Sequence, residues 1–431
     1  MPIEDRAFVI GLTGPFGSGC TTAAAVLSDH ASFSTRVLSS EIRDEWARLH
    51  GNQEPARGDL QKLGNQMRID AGNPGVLAHL ACESFGGSPE AVDRLVLDGI
   101  RNVGEVQYLR ERFGHRFYLV ALECPASERF GRLAGVYGAG DDALAAFRRD
   151  NEHDRDQETA MGQQVALCVD LADALIINSD AVTLKQLRDK VIGYVQVLTG
   201  ETPRYPEPIE VMMNVAYSAA HGSKCLKRQV GAVVVDAAPG EMGDVVGQGF
   251  NDNPRPTPPC VDEPRYGADP GKGQPGACYR DIVRSQGFAN LARDGAKCPN
   301  CGTTITHPDP SPPWNCAGCA ENLEAYFWPE RAMTLCTAIH AEVAALFAAG
   351  RRANGSTLYT TTYPCFQCTE KIIQAGIRAV VFTEPYPDIR AAERIEIAGI
   401  EMVRFEGIRS GRFDEIFSRA RPYVAEQRRS S

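Results

Sequence analysis

Short apolar runs alternate with polar and alanine-rich stretches in the first half of the chain. Phe8, Val9 and Ile10 form the first run, and the alanine-rich segment TTAAAVLSDH predicts a helix that follows a strand ending near Thr13. Further along, the stretch RLVLDGIRN predicts another apolar strand, which ends in Asp98. The pattern therefore predicts a strand, a turn and a helix at the start of an α/β unit.

In the second half of the chain, apolar residues recur with the period of an α-helix. His340 and Glu342 lie at the beginning of a predicted amphipathic helix, and after the predicted strand STLYTTT a proline suits the start of another helix. Cys365 and Cys368 lie three positions apart and thus share one face of its first turn. The apolar residues that recur at helical spacing in the first of these helices are Ile339, Val343, Leu346 and Phe347.

Length sets the expected number of domains. The chain has 431 residues, and single cores stop growing at roughly 250 to 300 residues, so two domains are expected. The join is predicted at TGETPRYPEP, where three prolines among polar residues make a stiff exposed connector. We therefore expect a first domain over residues 1–200, a linker over 201–208 and a second domain over 209–424.

The charge balance narrows the class of partner and the compartment. A net charge of -10 argues against a broad face that neutralises nucleic-acid phosphates, although a small basic pocket is compatible with it. The N-terminus lacks the features of a secretion signal, and no apolar run approaches the ~18 residues of a membrane span. A cytoplasmic location is expected, where clustered cysteines predict metal sites rather than disulfides.

The turn GPFGSGCTT matches the phosphate-binding pattern GxxxxGK[ST] except at one position. Its glycines would let backbone N–H groups approach phosphates, and the helix dipole that follows attracts anions. Thr21 would bind Mg²⁺ together with a nucleotide, and Asp98 would hold that ion through water. The candidate nucleotide-binding residues are Gly14, Gly17, Gly19, Cys20, Thr21 and Asp98.

Cys20 stands where the pattern requires a lysine. A thiol cannot supply the charge that stabilises a migrating phosphoryl group, so phosphate transfer is not expected. Arg101, Arg129 and Arg132 are other sources of charge, and a plain tight turn is the alternative to any phosphate site. Our interpretation is that the first domain keeps the loop for binding, either of a regulatory nucleotide or of an inhibitory partner.

The stretch KCPNCGTTITHPDPSPPWNCAGC contains two CxxC pairs separated by fourteen residues. Four thiolates fill the tetrahedral coordination of zinc and leave no open position, so a structural zinc ribbon is predicted. Unconnected thiols in a proline-rich loop are the alternative. The predicted ligands of this structural zinc are Cys298, Cys301, Cys316 and Cys319. Cys225 and Cys336 are interpreted instead as small buried apolar residues.

His340, Cys365 and Cys368 supply three zinc ligands and leave the fourth position for water, the arrangement that catalytic zinc requires. Such an ion lowers the pKa of the water to near neutrality. Glu342 is predicted to be the catalytic residue that moves protons. Taken alone, the PCxxC segment would also suit a redox pair or half of a zinc ribbon.

This H-x-E…P-C-x-x-C signature is that of zinc deaminases acting on cytosine or adenine. The segments MMNVAYSAAHGSKCLKRQVGAVVVD, VVGQGFNDNP and AVVFTEPYPD extend the match, and the chain from Ile209 to about Phe405 is similar to the deoxycytidylate deaminase family. The resemblance implies a cytidine deaminase-like α/β/α sandwich, a homo-oligomer, a sugar contact by Asn251 and a base or phosphate contact by Tyr386. An insertion over about 253–333 carries the predicted zinc ribbon.

The first half resembles a nucleotide or dephospho-coenzyme kinase in RGDLQKLGNQMR, FYLVALECPASERFGRL and ADALIINSD. That resemblance implies a P-loop NTPase-like parallel sheet with helices on both faces. The combination of the two halves resembles bacterial anti-phage dCTP/dCMP deaminases, which implies conversion of deoxycytidine nucleotides to deoxyuridine nucleotides and depletion of dCTP.

Three other functions remain open at this point. The chain could be a polynucleotide cytosine deaminase, a non-catalytic nucleotide sensor or an active kinase. Glu342 disfavours the sensor, because binding alone needs no proton carrier.

Overall fold

The computed structural model describes residues 7–85, 93–155, 160–305, 316–319, 323, 336–384 and 389–418. The chain forms two compact units, one comprising residues 1–214 with 404–431 and the other residues 215–403. No helix within the described ranges is long and apolar enough to cross a membrane.

Six strands belong to the first unit: β1 (Phe8–Thr13), β2 (Ser34–Val37), β3 (Arg94–Ile100), β4 (Phe117–Glu123), β5 (Ala174–Ile177) and β11 (Gly407–Ile408). They form one sheet in the order β11-β5-β4-β1-β3-β2. Neighbours among β1 to β5 are parallel, and β11 is antiparallel to β5. The predicted parallel sheet is thus confirmed, with one short antiparallel strand added at its edge.

Helices connect these strands. In the first unit they are α1 (Cys20–Ala31), α2 (Leu38–His50), α3 (Arg57–Asp70), α4 (Val76–Phe85), α5 (Val103–Phe113), α6 (Ala126–Arg132), α7 (Ala134–Tyr137), α8 (Asp141–Arg155), α9 (Val165–Asp170), α10 (Leu184–Thr199) and α16 (Ser410–Ser418). Helix α11 (Pro208–Ala220) begins in the first unit and ends in the second.

The central strand β1 is covered on both sides. Val9 and Ile10 point to opposite faces of the sheet, and both are fully buried. Ile10 packs with Leu27 of α1 and Leu198 of α10 in one apolar cluster. Because parallel sheets are stable only with both faces covered, the short continuous apolar runs of the sequence are the expected signal of such strands.

The end of the chain returns to the first unit. Gly407 and Ile408 pair with β5, and the Ile408 N–H donates to Glu210 Oε1 at 2.8 Å. Lys190 Nζ lies 2.7 Å from Glu406 Oε2. The sequence predicts that the second domain extends to residue 424, whereas the described residues from 404 to 418 group with the first unit. A two-residue strand leaves no periodic signal in a sequence.

The second unit contains a five-stranded mixed sheet. Its strands are β6 (Gly231–Val235), β7 (Val245–Phe250), β8 (Thr357–Thr362), β9 (Ala379–Glu384) and β10 (Glu401–Arg404), in the order β10-β9-β8-β6-β7. Strand β6 is antiparallel to β7 and β8, while β8 and β9 are parallel. Its helices are α12 (Tyr279–Arg293), α13 (Ala341–Ala349), α14 (Phe366–Gln374) and α15 (Ile389–Ala398).

Helix α13 lies directly on β7 because of two glycines. A Cβ atom at Gly247 would lie 2.3 Å from the carbonyl oxygen of Ala345, and one at Gly249 would lie 2.4 Å from the Ala345 nitrogen. Gly247 and Gly249 lie two positions apart in the strand, so both face the same side of the sheet, where the helix lies. Only a residue without a side chain permits this approach. The alternate glycines in VVGQGF thus fix the distance between the sheet and α13.

Candidate active site

The ends of two helices carry the residues of the predicted catalytic centre. His340 has extended backbone immediately before α13, and Cys365 has the same conformation immediately before α14. Cys368 follows in the first turn of α14. The segment before His340 is held in place by Ile339, whose N–H donates to the Asp252 carbonyl at 2.8 Å. The two helix starts therefore bring the three side chains together.

The distances among these side chains fit a zinc ion. His340 Nδ1 lies 3.2 Å from Cys368 Sγ and 3.4 Å from Cys365 Sγ. Zinc bonds of about 2.0 Å to nitrogen and 2.3 Å to sulfur in tetrahedral geometry would separate N and S by about 3.5 Å. One imidazole and two thiols are also the donor types that zinc prefers. This group can hold a zinc ion.

Hydrogen bonds among His340, Cys365 and Cys368 shift the pKa values of these side chains. The hydrogen bond from Cys368 lowers the pKa of Cys365 to about 4, and the hydrogen bond with Cys365 raises the pKa of His340. The hydrogen bond between Cys365 and Cys368, and then burial, raise the pKa of the Cys368 thiol. Zinc binding would displace these protons, because the ligands must be thiolates and neutral imidazole.

Glu342 lies beside this group and inside the protein. It is 4% exposed, in the first turn of α13, and burial raises the pKa of its carboxyl group. The Cys368 thiol forms a hydrogen bond with it. A buried carboxyl group with a raised pKa is suited to taking up and releasing a proton near neutral pH.

The predicted apolar face of α13 is correct except at one residue. Val343 and Leu346 are buried, whereas Phe347 is 73% exposed. The helix covers the sheet through small residues, Ala341, Ala345 and Ala349, all of which are buried. Close contact with the glycines of β7 leaves no space for larger side chains there.

The four cysteines of the two CxxC pairs also converge. Cys298 and Cys319 have their sulfur atoms 3.8 Å apart, and Cys301 and Cys316 have theirs 3.5 Å apart. Tetrahedral zinc with bonds of about 2.3 Å places sulfurs about 3.8 Å apart, so this group can hold a zinc ion as well. Around it the only apolar partners within the described residues form a very small cluster, which includes Ile305 and Leu323.

Four further cysteines line one small cavity of about 30 Å³. Cys225 and Cys336 are predicted to be buried apolar residues, but both are half-buried and share this cavity with Cys260 and Cys278. Their spacing in the sequence is too irregular to have indicated the grouping. Among the described residues, these thiols are not one of the sets whose ligand atoms all lie within 4.8 Å of one another.

Asn251, the predicted sugar contact, is held by backbone groups. Its Oδ1 accepts from the Val230 N–H at 2.7 Å, and its Nδ2 donates to the Arg228 carbonyl at 2.9 Å. These bonds fix the loop before β6, and they leave one hydrogen of Nδ2 and one lone pair of Oδ1 for a ligand. Its role toward a sugar stays a prediction. Tyr386 lies outside the described residues.

The predicted phosphate loop of the first unit lies between β1 and α1. It follows β1, and Gly14, Gly17 and Gly19 have φ angles of 154°, 81° and 105°. Helix α1 begins at Cys20, immediately after Gly19. A Cβ atom at Gly19 would lie 2.4 Å from Asn178 Nδ2, so glycine is required there for space as well as for conformation.

Thr21 and Asp98 lie together, as the magnesium prediction requires. Thr21 Oγ1 donates to Asp98 Oδ2 at 2.9 Å. Asp98 lies within β3, which continues to Ile100, rather than at the end of the strand as predicted. Burial, and then Asp98, raise the pKa of Cys20 to about 12, so this thiol is neutral at physiological pH. It contributes no charge to the loop.

The three arginines considered as substitutes for the lysine have different surroundings. Arg129 is 4% exposed and donates to the carbonyl oxygens of Cys124 and Phe16, which makes it part of the framework. Arg132 Nη2 lies 2.8 Å from Asp180 Oδ1. Arg101 and Arg132 line a cleft of about 700 Å³ that also includes the loop.

Both halves of the chain resemble known proteins. Residues 206–384 match the family model for the cytidine and deoxycytidylate deaminase zinc-binding region. A deoxycytidylate deaminase of Schizosaccharomyces pombe is 24% identical over 388 residues, which are 88% of this chain and 90% of the relative. A UPF0200 protein of Halobacterium salinarum is 31% identical over 201 residues, 46% of this chain and 97% of that protein. The chain contains a UPF0200-family part, and its residues 206–384 match the zinc-binding region of cytidine and deoxycytidylate deaminases.

Solved structures that resemble the chain include a dCMP deaminase and a shikimate kinase. A dCMP deaminase of cyanophage S-TIM5 in complex with dCMP and dUMP is 19% identical, with 46% of this chain and 95% of that chain covered and a TM-score of 0.26. A shikimate kinase of Acinetobacter baumannii with shikimate is 15% identical, with 46% and 97% covered and a TM-score of 0.30. The matched range 206–384 includes both groups of side chains that could hold a metal ion.

Proposed function

We propose that this protein is a zinc-dependent hydrolase that deaminates deoxycytidine nucleotides, dCMP or dCTP or both, to the corresponding deoxyuridine nucleotides. One observation carries the proposal: His340 Nδ1 lies 3.2 and 3.4 Å from the two cysteine sulfurs, and the buried carboxyl group of Glu342 lies beside them. Three ligands leave one coordination position open, which is the property that separates catalytic from structural zinc.

Glu342 is the catalytic residue in this proposal. His340, Cys365 and Cys368 would hold a zinc ion, which would lower the pKa of a water molecule and so supply a nucleophile at neutral pH. The Glu342 carboxylate accepts a proton from the attacking water, which adds to carbon 4 of the cytosine ring. Glu342 then passes this proton to ring nitrogen N3, takes up the proton of the new hydroxyl group at carbon 4 and donates it to the exocyclic nitrogen, which leaves as ammonia when its bond to carbon 4 breaks and the carbonyl forms.

The second zinc site has a structural role in this proposal. Its four sulfurs complete the coordination of one ion and leave no position for a substrate. The apolar cluster around Ile305 and Leu323 is too small to hold the surrounding residues together by itself. Zinc bound there would stabilise the insertion of the deaminase domain.

A free nucleotide is the proposed substrate. The net charge of -10 disfavours a polynucleotide, and Asn251 keeps one donor and one acceptor for a sugar hydroxyl. Tyr386 is proposed to contact the base or the phosphate. Depletion of dCTP by this reaction would starve phage replication, so the proposed role is anti-phage defence in the cytoplasm by a homo-oligomer.

The first unit is proposed to bind a nucleotide without transferring phosphate. The conformation of the loop from Gly14 to Gly19 and the cleft beside it support binding. The neutral thiol of Cys20 removes the charge on which transfer depends. Thr21 and Asp98 would hold the magnesium ion that accompanies such a nucleotide.

Substrate specificity can be tested with a panel of four compounds. The purified protein is incubated separately with dCMP, dCTP, cytidine and a cytosine-containing oligonucleotide, and ammonia and uracil products are measured. Release of ammonia from dCMP or dCTP, with little from cytidine, is the expected result. Deamination of the oligonucleotide alone would establish the polynucleotide enzyme instead, and binding of nucleotides without product would establish a sensor.

A further inference from the structure

One small cavity of the second unit is lined by four cysteines that the proposed reaction does not use. They are Cys225, Cys260, Cys278 and Cys336. All are free thiols and half-buried. Cys225 lies before β6, Cys260 and Cys278 lie in the insertion, and Cys336 lies shortly before His340. Thiols from distant stretches of the chain therefore meet beside the segment that carries a predicted zinc ligand.

The cavity is polar and has room for a small molecule. Its volume of about 30 Å³ exceeds the roughly 10–15 Å³ that a water molecule needs. Charged side chains also line it, namely those of Lys224, Asp252 and Arg280. Inert structural cysteines lie in apolar surroundings, whereas reactive ones are partly exposed beside cationic groups. The surroundings of this cavity are of the second kind, and its size suits hydrogen peroxide, which is only slightly larger than water.

The grouping favours a reaction between two thiols over the binding of a metal ion. A metal ion would require the sulfur atoms to converge on one point. Among the described residues, the sulfur atoms of this group do not all lie within 4.8 Å of one another, in contrast to those of the predicted zinc sites. A disulfide needs only two sulfur atoms to meet, at about 2.05 Å.

Cys225 is linked to the residue that is predicted to contact the sugar. Ser223 Oγ accepts from the Cys225 N–H at 3.2 Å and donates to the Asn251 carbonyl at 2.7 Å. Ser223 is 3% exposed, so this link lies inside the protein. Movement of Cys225 would therefore reach Asn251 through a single serine.

Cys336 belongs to the segment that leads into α13. The next residue, Thr337, donates from Oγ1 to Asn253 Oδ1 at 2.8 Å. Ile339 exchanges two backbone hydrogen bonds with Asp252, at 2.8 and 3.2 Å. These bonds hold the segment against the same short stretch that the Cys225 side contacts. Displacement of Cys336 would therefore strain the residues that lead directly to the histidine ligand of the catalytic centre.

The thiols are close enough to act on one another. Burial raises the pKa of the Cys336 thiol, and Cys225, followed by Cys278, raises it further. Because the effect of one charge on another falls with distance, both sulfur atoms lie near Cys336. Cys225 has the larger effect of the two, which favours it as the partner. With its pKa raised, Cys336 stays protonated and is not the first thiol to react.

We propose that Cys225 and Cys336 form a reversible disulfide in the presence of hydrogen peroxide, and that this bond slows deamination by displacing the two segments that carry them. Disulfides in a reducing compartment are usually transient and sense redox conditions. Formation of the bond does not depend on the proposed function, whereas its effect on turnover rests on it.

The oxidation consumes one molecule of hydrogen peroxide and has two steps. The Cys225 thiolate attacks the O–O bond, so that an S–O bond forms and hydroxide leaves, which takes up the proton lost by the thiol and becomes water. The Cys336 sulfur then attacks the sulfenic acid sulfur, so that the S–S bond forms and the S–O bond breaks. The proton of Cys336 leaves with the hydroxide as a second water. The two sulfurs lose two electrons, which reduce the peroxide.

Peptide mapping of the full, zinc-loaded chain tests the pair directly. The protein is treated with hydrogen peroxide, free thiols are blocked with iodoacetamide, and the digest is analysed by mass spectrometry before and after dithiothreitol. We expect a linked peptide that joins Cys225 to Cys336 and that dithiothreitol separates. Ammonia release from dCMP and dCTP should fall by about tenfold in the oxidised sample, since a displacement of about 1 Å costs up to roughly 10²-fold. Dithiothreitol should restore it.

Two variants separate the proposed pair from the rest of the cavity. Cys336→Ser should keep zinc content and turnover before oxidation, form no linked peptide and keep its turnover in peroxide. Cys278→Ser changes another half-buried cysteine of the same cavity and is the matched control. It should form the bond between Cys225 and Cys336 and lose turnover as the wild type does. Cys225→Ser replaces Cys336→Ser if that variant fails to fold.

Other outcomes overturn the pair. No linked peptide, linkage only among the predicted zinc ligands, or linkage of Cys336 to Cys260 or Cys278 would each contradict it. A third zinc ion per chain that peroxide releases would make the cavity a metal site instead. A linked peptide with unchanged turnover would refute the effect on the catalytic centre. A linked peptide in a chain that deaminates none of the nucleotides would support the pair and contradict only the proposed function.

Discussion

The loop of the first unit departs from its pattern at one residue, whereas the second unit brings together all three predicted zinc ligands. In the first, the loop has its glycines, its helix and the pair Thr21 and Asp98, yet Cys20 is neutral where a cation is needed. In the second, the three zinc ligands and Glu342 are all present within contact distance. The backbone conformation of a site can therefore be present without the side chain that its reaction requires.

The physical reason is that different residues carry the two properties. The glycines of the loop, like Gly247 and Gly249 of the second unit, shape the backbone and set how closely it approaches its neighbours. One charged or titratable side chain then determines whether the shaped site can react. The first unit retains the backbone conformation without such a side chain. Four substitutions test this difference between the units, and their expected effects decrease in the order Cys365→Ala, Cys316→Ala, Gly249→Ala and Cys20→Lys.

The largest effect is expected for Cys365→Ala. Loss of this ligand should remove one of two zinc ions per chain. It should also reduce deamination by more than roughly 10–100-fold, which is the usual cost of losing a residue that only hydrogen-bonds to a metal ligand. Zinc content and ammonia release measure it. Cys168→Ala, which removes a fully buried thiol in the first unit, is the control and should change neither. Full zinc content with normal turnover in Cys365→Ala would refute the assignment of the catalytic centre.

Cys316→Ala should have the next largest effect, and a different one. Cys316 is 5% exposed in the four-cysteine group, so its loss should also remove one zinc ion and unfold the insertion locally. Rapid proteolysis near residues 298–319 would reveal the unfolding. Deamination should decline less than in Cys365→Ala. An equal loss of turnover at intact stability would indicate that this zinc takes part in the reaction.

Gly249→Ala should loosen the contact between β7 and α13. The added Cβ atom would lie 2.4 Å from the Ala345 nitrogen, so the helix must shift, at a cost of about 1–3 kcal/mol. The melting temperature should fall by several degrees, and turnover should fall with it because α13 carries Glu342. Gly58→Ala is the matched control, since its Cβ atom meets nothing within 4 Å and alanine favours a helix. An unchanged melting temperature for Gly249→Ala would show that the packing is less tight than described.

Cys20→Lys should have the smallest effect, confined to the first unit. Restoring the cation at this position should strengthen ATP binding by roughly tenfold, through a charge-assisted contact to phosphate. Calorimetry measures the affinity. Thr22→Lys puts the same charge two positions further along α1 and should produce less gain. Unchanged affinity in Cys20→Lys would mean that the loop is not a phosphate site.

Much of this arrangement was predictable because its signals are local. The strand before the loop, the helices that begin beside His340 and Cys365, and the convergence of the two cysteine pairs all follow from short patterns of residues. Such patterns work when the residues that carry the chemistry are close together in the chain or lie at fixed helical positions. Both zinc-binding groups belong to this class.

Features formed by distant residues were not predictable in this way. The return of Gly407 and Ile408 to β5 depends on backbone pairing across more than half of the chain. The cavity lined by Cys225, Cys260, Cys278 and Cys336 joins residues without regular spacing. Arg68 of α3 meets Glu105 of α5 only because the sheet brings those helices together. Phe347 has the helical period of a core residue but lies exposed, since glycines and alanines make the contact instead.

The central claim is that Glu342 moves protons at a three-ligand zinc site, and Glu342→Gln tests it most directly. The amide keeps the size of the side chain and removes its ability to carry a proton. Wild type and Glu342→Gln are compared for zinc content and for ammonia release from dCMP and dCTP. Equal zinc content with turnover reduced by roughly 10²–10⁴-fold is the predicted result. Equal zinc content with unchanged turnover would contradict the account.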